Sequence, residues 1–269
     1  VLPGRGLALG ITMTYVSLMI MIPVLALLVK ASQLNGARAI TLILDPQVQS
    51  ALWVSLSTSA MAACVNGVFG TIVAWVHVRY PHPGKPIINA LIDLPFAIPT
   101  AVTGITLTHL LSDHGWVGRV LTPLGWQINY TWIGIVVALV FVGLPFVIRS
   151  VEPVLADIDT DIEEAAATLG ASSRHITWRI LIPTIFPDIL SGVTVAFARG
   201  LGEYGSVVFI SGNLPYKTEI LPYLIVSKLE QFDYEGATVL AILTLALSFV
   251  ALVLANGLQG WYRRRMGGT

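Results

Sequence analysis

Six apolar stretches in this chain are long enough, or nearly so, to cross a lipid bilayer, and no other feature limits the possible folds as strongly. A bilayer's hydrocarbon layer is about 30 Å thick, which a helix covers in about 20 residues. Residues 7–29, 52–76 and 237–258 carry no Asp, Glu, Lys or Arg. Residues 132–148 are shorter and also uncharged. Residues 87–111 carry only Asp93, and residues 187–211 carry Asp188, Arg199 and Glu203. Lipid offers no water to a bare backbone, so each span must satisfy its own N–H and C=O groups as a helix. The spacing therefore predicts an all-α membrane protein with six spans in a single transmembrane domain covering residues 1–269. The 11% charged fraction agrees; a soluble domain carries about 25%.

Charge and cysteine content remove several functions. Fifteen basic and fifteen acidic residues cancel, so no net field points to nucleic acid. Cys64 is the only cysteine, which leaves no intrachain disulfide and no cysteine metal cluster. His77, His82, His109, His114 and His175 are scattered, and no nucleophile–base pair stands out, so a membrane enzyme is disfavoured. The first apolar run is longer than a signal-peptide core and reads as a retained helix.

Basic residues predict the orientation. With both termini in the cytoplasm, the inner segments hold Arg5, Arg79, Lys85, Arg149, Arg174, Arg179, Arg263, Arg264 and Arg265. The outer segments hold only Lys30, Arg38, Arg119, Lys217 and Lys228. Trp116, Trp126, Trp132 and Trp261 cluster near the expected span ends, as interfacial anchors do. Ser59, Ala63 and Gly67 recur every four residues in the second span, as do Gly192, Ala196 and Gly200 in the fifth. Such stripes let helix backbones approach closely in lipid. Packing within one subunit is the simpler reading, ahead of a dedicated dimer face.

One charged, amphipathic segment stands apart. Residues 163–183 read EEAAATLGASSRHITWRILIP. Thr160 and Glu163 have capping-box spacing, and Gly170 is a natural helix stop. Ser172 is placed to cap a second short helix running through Ile176 and Trp178 to Ile182. Ile162, Ala165, Ala166 and Leu169 fall on one helix face, which could enter a groove on a partner. The alternative is a helix lying on the membrane. Asp157, Asp159, Asp161, Glu163 and Glu164 oppose that, because an anionic leaflet would repel them. The chain has no G-x-x-x-x-G-K-[ST] loop, so a nucleotide would have to bind elsewhere.

Two spans carry groups that lipid does not welcome. Pro95 and Pro99 disrupt the third, where Asp93 precedes them and Thr100, Thr103, Thr106 and Thr108 follow. A broken, hydroxyl-rich helix suits a translocation path, and a plain proline kink with self-bonded threonines is an equal reading. In the fifth span Arg199 and Glu203 are four apart and are expected on one helix face, inside the membrane. They form either a neutralised structural pair or a gate.

The order Glu164-Ala165-Ala166, Gly170, Ile180, Pro183 resembles the EAA loop of ATP-binding-cassette (ABC) importer permeases, with Ile182 where that family has Leu. The tracts DLPFAIPTAVTG (93–104), FVIRSVEPVL (146–155), FARGLGEYGSVVFISGN (197–213) and KTEILPYLIVSKLEQFDYEGA (217–237) resemble the T-type permease of sulfate/thiosulfate importers. The resemblance implies a type I importer permease fold in a bacterial inner membrane, with a cytoplasmic coupling loop over 157–183. It implies docking on the ATPase through Glu163, Glu164, Ala165, Ala166, Leu169, Gly170 and Pro183. It implies a path near Asp93, Pro95, Pro99, Thr100, Thr103, Arg199, Glu203 and Tyr204. It implies no cofactor in this chain, with ATP and Mg on a partner ATPase present in two copies. The other implied partners are a W-type permease subunit and an extracytoplasmic sulfate-binding protein, with residues 212–236 as its contact. A molybdate or tungstate permease is the nearest alternative. An ATP-independent secondary transporter would not need the coupling loop.

Overall fold

The computed structural model describes residues 5–265, without the side chains of residues 5, 261 and 263–265. The expected placement of Arg5, Trp261, Arg263, Arg264 and Arg265 therefore lies outside the described residues. The described residues are mainly helical, with no strand among them. Its helices are α1 (Arg5–Ser32), α2 (Gly36–Ile43), α3 (Pro46–Arg79), α4 (Lys85–Ala97), α5 (Thr100–Leu110), α6 (Gly118–Leu121), α7 (Trp132–Asp157), α8 (Thr160–Thr168), α9 (Ser173–Ile176), α10 (Ile182–Leu201), α11 (Val207–Ile210), α12 (Leu221–Glu230) and α13 (Tyr234–Arg265). Among the described residues, five helices are long and apolar enough to cross a membrane, or six if α4 and α5 form one bent span.

That bent pair is the main departure from a bundle of straight rods. Residues 87–111 fold as two helices inclined at 110°. Only one of the two prolines breaks the helix. Pro95 lies inside α4, whereas Ile98, just before Pro99, is extended at φ −86° and ψ 132°. A proline's ring clashes with a helical predecessor, which drives the preceding residue into the extended region.

The fifth span also differs. It runs as one helix from Ser173 to Leu201, not over 187–211. A π-helical turn, Thr177–Leu181, joins α9 to α10 just before Pro183. Proline cannot donate to the helix ladder, and a wider turn ahead of it relieves the misfit. The second short helix expected after Gly170 is thus the first turn of a membrane helix. The projecting loop is shorter than 157–183. At the other end the helix stops at Leu201, so Glu203 lies beyond it rather than on its face. The fourth span extends past residue 148 to Asp157 and so includes Arg149 and Glu152.

Helices α3, α7 and α10 form the core, with α12 and α13 packed beside it. The small-residue stripes sit at their contacts. A methyl carbon on Gly200 would lie 3.2 Å from Ser59 Oγ, one on Gly67 2.8 Å from a Val193 methyl, and one on Gly192 2.7 Å from Val147 Cα. Both stripes thus pack within this chain, as the simpler reading expected. Close approach gains dispersion contacts, and these supply much of helix association where lipid is as apolar as the core. Ala74, Val147, Ile148, Val151, Leu155 and Ile185 fill one end of the bundle. Val54, Ile135, Leu139, Val207, Ile210 and Ile220 fill the other. None of α1's described side chains is buried, and it packs mainly against α13 at the edge.

Candidate docking and translocation sites

The projecting element is α8 with its two caps. Asp159, not Thr160, is the N-cap, and its carboxylate accepts from the Asp161 N–H at 3.1 Å. The capping box is therefore not formed, because Thr160 already lies inside the helix. At the far end Gly170 has φ +87°. The Gly170 N–H donates to Ala167 O at 2.9 Å, and the Ala171 N–H to Ala166 O at 3.1 Å. This pattern is a Schellman stop, and the left-handed residue it needs costs glycine nothing. Ser172 then caps α9 by accepting from the His175 N–H at 3.4 Å, as expected.

The faces of α8 separate the expected docking residues. Ile162 and Leu169 are 51% and 89% exposed. Glu164, Ala165 and Gly170 are exposed with them, and Ala166 is half-buried. Such exposure of a leucine at helical spacing from other apolar residues leaves a face with no partner in this chain. Glu163 points the other way, toward Arg79 at the end of α3, with 2.6 Å between Oε1 and Nη1. Pro183 is absent from this face. It is half-buried in the first turn of α10.

Beneath α8 lies a layer of charge. Arg149 holds Asp93 by two bonds, Nε to Oδ1 at 2.9 Å and Nη2 to Oδ2 at 2.6 Å. Its Nη1 reaches Glu152 Oε2 at 2.7 Å and Asn89 Oδ1 at 3.4 Å. His77 Nε2 lies 3.9 Å from Glu152 Oε1. Asp93 thus ties α4 to α7, well before the break at Pro99. Arg149 and Glu152 were not among the expected site residues. Their spacing of three on one helix was the available signal.

Of the expected path residues, those at the start of α5 and in the turn after α10 come together where two helix breaks touch, whereas Asp93 and Pro95 lie apart from them in α4. Beyond Leu201 the chain turns through residues 202–206 into α11. Glu203 governs this turn. Its Oε2 pairs with Arg199 Nη1 at 2.6 Å, and its Oε1 accepts from the Ser206 N–H and hydroxyl, each at 3.0 Å. The Glu203 side chain is 1% exposed and that of Arg199 is 40% exposed. The start of α5 lies against the same turn. A side chain on Gly205 would collide with Thr100 Oγ1, and a methyl carbon on Gly104 would lie 2.5 Å from Ser206 O. Gly200 packs on Ser59 and Leu139, both within uncharged runs, which puts the junction inside the apolar layer. Thr103 is buried there, Tyr204 is half-buried and Pro99 is exposed. Thr108 bonds back to Gly104 O at 2.8 Å, as a plain kinked helix would have it.

Two buried polar side chains outside the expected path, Asn66 and Ser59, lie on α3. Asn66 is buried beside Gly143, and its amide makes no hydrogen bond to the described residues. Ser59 Oγ is likewise unbonded. It borders a cavity of about 10 Å³ lined also by Ser55, Thr58 and Glu203. That is room for about one water molecule.

The expected binding-protein contact, residues 212–236, is ordered around α12. The first N–H of α12 donates to Ser55 Oγ at 2.8 Å. Tyr216 and Phe232 are exposed and have left-handed backbone, at φ 63° and 60°. Asp233 accepts from the Gly236 N–H, which holds its carboxyl below the usual carboxylate range, with help from Lys228 and Arg38. Burial pushes Glu219 up, against a 2.8 Å hydrogen bond from Gln47. Among the described residues no group of three or more His, Cys, Asp or Glu side chains is placed to hold a metal ion.

Residues 66–268 match the family described as binding-protein-dependent transport system inner membrane component. The chain belongs to that family. Its relatives include "Sulfate transport system permease protein CysT" of Synechococcus elongatus, 47% identical over 95% of this chain and 92% of the relative. The protein of the same name from Escherichia coli K12 is 41% identical over 100% of this chain and 97% of the relative. Among solved structures, a bacterial alginate ABC transporter in complex with its periplasmic protein superposes with a TM-score of 0.77. It is 17% identical and covers 99% of this chain and 96% of its own. The MetNI methionine transporter reaches a TM-score of 0.59 at 17% identity, over 82% of this chain and 97% of its own. The family and the fold are those of an ABC importer permease, an integral membrane transport subunit and not an enzyme.

Proposed function

We propose that this chain is the T-type permease subunit of an ATP-driven sulfate importer. The observation that carries the coupling is α8, a helix capped at both ends whose apolar face has no partner in the chain. The choice of sulfate rests on relatives named as sulfate permeases along nearly the whole chain. In this reading Ile162, Glu164, Ala165 and Leu169 enter a groove on the ATPase. ATP and Mg bind there, in two copies, and closure of the ATPase pair moves α8. A W-type permease completes the membrane assembly, and a sulfate-binding protein delivers the anion to the outer loops. Both termini are cytoplasmic in a bacterial inner membrane. The anion, sulfate or thiosulfate, passes the junction of Thr100, Thr103, Arg199, Glu203 and Tyr204. Glu203 does not touch it, because a carboxylate would repel an anion. It fixes Arg199 and the turn instead.

The test is uptake of radiolabelled sulfate into proteoliposomes that hold this chain with its W-type, ATPase and binding-protein partners. Uptake that requires ATP, survives excess molybdate and is lost in Leu169→Glu supports the reading. Inhibition by molybdate would move the substrate to the larger oxyanions. Uptake without ATP, or unaffected by Leu169→Glu, would reject coupling through α8.

A further inference from the structure

The two adjacent glutamates of α8 face opposite ways. Glu164 is exposed, whereas Glu163 turns back to Arg79 at the C-terminal end of α3. From this we infer that Arg79 is a positioning residue, a latch that fixes the docking helix to the longest membrane helix so that the two move together. The inference rests on the importer reading above and assigns a coupling role within it.

Four observations support the latch. The pair joins residues 84 positions apart, so it is not a by-product of helix spacing. Its side chains are only 17% and 29% exposed, which shields the charges from water and salt. Arg79 is braced, with its guanidinium 5.9 Å from the Trp75 ring centre and its place in the last turn of α3, where a cation suits the helix dipole. The expected contacts of α8 are otherwise few, since it has no buried residue and packs on the short α9. Among the described residues the pair is the one side-chain ion pair that joins α8 to another helix.

The latch is also incompletely bonded. Arg79 Nε and Nη2 are buried and donate to no acceptor among the described residues, and Glu163 Oε1, although 2.6 Å from Nη1, is an ion-pair contact that lacks hydrogen-bond geometry. A buried donor without a partner raises the energy of the state that contains it. A second arrangement, with α8 shifted on α3, could satisfy more of these donors. The pair therefore suits an element that must change position during a transport cycle, and a fully bonded fork would resist that.

The test uses the complete importer in proteoliposomes, reading sulfate taken up per ATP hydrolysed. Amide hydrogen exchange across residues 160–169 is read in the same samples. Arg79→Gln and Glu163→Gln are each expected to lower the transport ratio on the order of tenfold, the scale of ordinary coupling energies. Both should speed exchange of the α8 amides, because local opening becomes easier. Arg79→Lys should recover part of the ratio, and the swapped pair Arg79→Glu with Glu163→Arg most of it. A side chain that acts without its partner would not be rescued by exchanging the charges, and a merely structural loss would lower uptake and ATP hydrolysis together and leave their ratio unchanged. Wild-type ratio and unchanged exchange in both single variants would overturn the latch. So would a swapped pair that assembles but works no better than either single variant. Failure of the unaltered assembly to couple uptake to ATP would reject the importer reading instead. The exchange measurement would still judge the latch.

Discussion

Two helix interruptions in this chain are built in opposite ways. The one after α8 turns at Gly170, with no neighbouring atom within 4 Å of the place a side chain would occupy. Its bonds are all backbone, the 2.9 Å and 3.1 Å contacts of the Schellman stop. The interruption after α10 turns at Gly202–Ser206 and depends on side chains, with Glu203 holding both Arg199 and Ser206. It is also pressed against the start of α5. The difference follows from the surroundings. In water, solvent can satisfy the carbonyls a helix end leaves over. Inside an apolar layer an unpaired polar group costs several kcal/mol, so the chain must import its own partners. Glu203 is an expensive residue to place in a membrane, and here it substitutes for the missing water.

Removing that import should have the largest effect. Glu203→Ala leaves Arg199 without its partner and the Ser206 N–H and hydroxyl without an acceptor. A loss of about 2–3 kcal/mol is expected, toward the lower end for buried pairs because Arg199 is 40% exposed. Thermal unfolding in detergent would read it. Stability equal to the unaltered protein would show that the turn does not depend on the carboxylate. Glu203→Gln keeps the side chain's shape, and with assembly intact it should still impair uptake.

A smaller effect is expected at the exposed break. Gly170→Ala places a side chain at φ +87°, which costs about 1 kcal/mol. No collision adds to it, since that side is open. The penalty should show as faster amide exchange in α8 and leave the melting of the membrane helices nearly unchanged. A global melting shift as large as that of Glu203→Ala would erase the contrast between the two breaks.

The smallest effect concerns pH at the loops around α12. The Asp233 carboxyl is depressed in the fold by the Gly236 N–H, then by Lys228 and Arg38. Its contribution is present above the unfolded carboxylate value of about 3.9 and is lost as pH falls through the lower folded value. Glu219 has the opposite sign. Burial raises its folded value, so stability falls as pH rises from the unfolded value through the raised one. Asp233→Asn should therefore flatten the acid limb of a melting-against-pH curve, and Glu219→Gln the limb above it. Unchanged limbs would show that these loops do not respond to their carboxylates.

Much of the site was legible because its signals are local. The Gly170 stop and the Ser172 cap follow from a few neighbouring residues, and local backbone geometry with one side-chain hydroxyl determines them. The apolar face of α8 follows from residues three and four apart. Other expectations failed where distant groups decide. Pro95 and Pro99 look alike in the sequence, yet only Pro99 breaks its helix. Its neighbours Thr100 and Gly104 pack on the Gly205–Ser206 turn, about a hundred positions further along the chain. Glu163 and Glu164 are chemically identical neighbours, and only the position of Arg79 separates a latch from a docking face.

By itself the sequence determined that the chain belongs in a membrane, and it located the spans around 7–29, 52–76, 132–148 and 237–258, but it placed the fifth too far along the chain and did not show the bend in the third. Lipid imposes that rule residue by residue, and apolar length satisfies it without reference to the rest of the fold. Only the tertiary structure decided which charges meet. Asp93 finds Arg149 across two helices, and Arg79 finds Glu163 across 84 positions. Such pairings depend on how α3, α4, α7 and α8 pack, and the energy of a charge in lipid is set by the partner that packing brings to it.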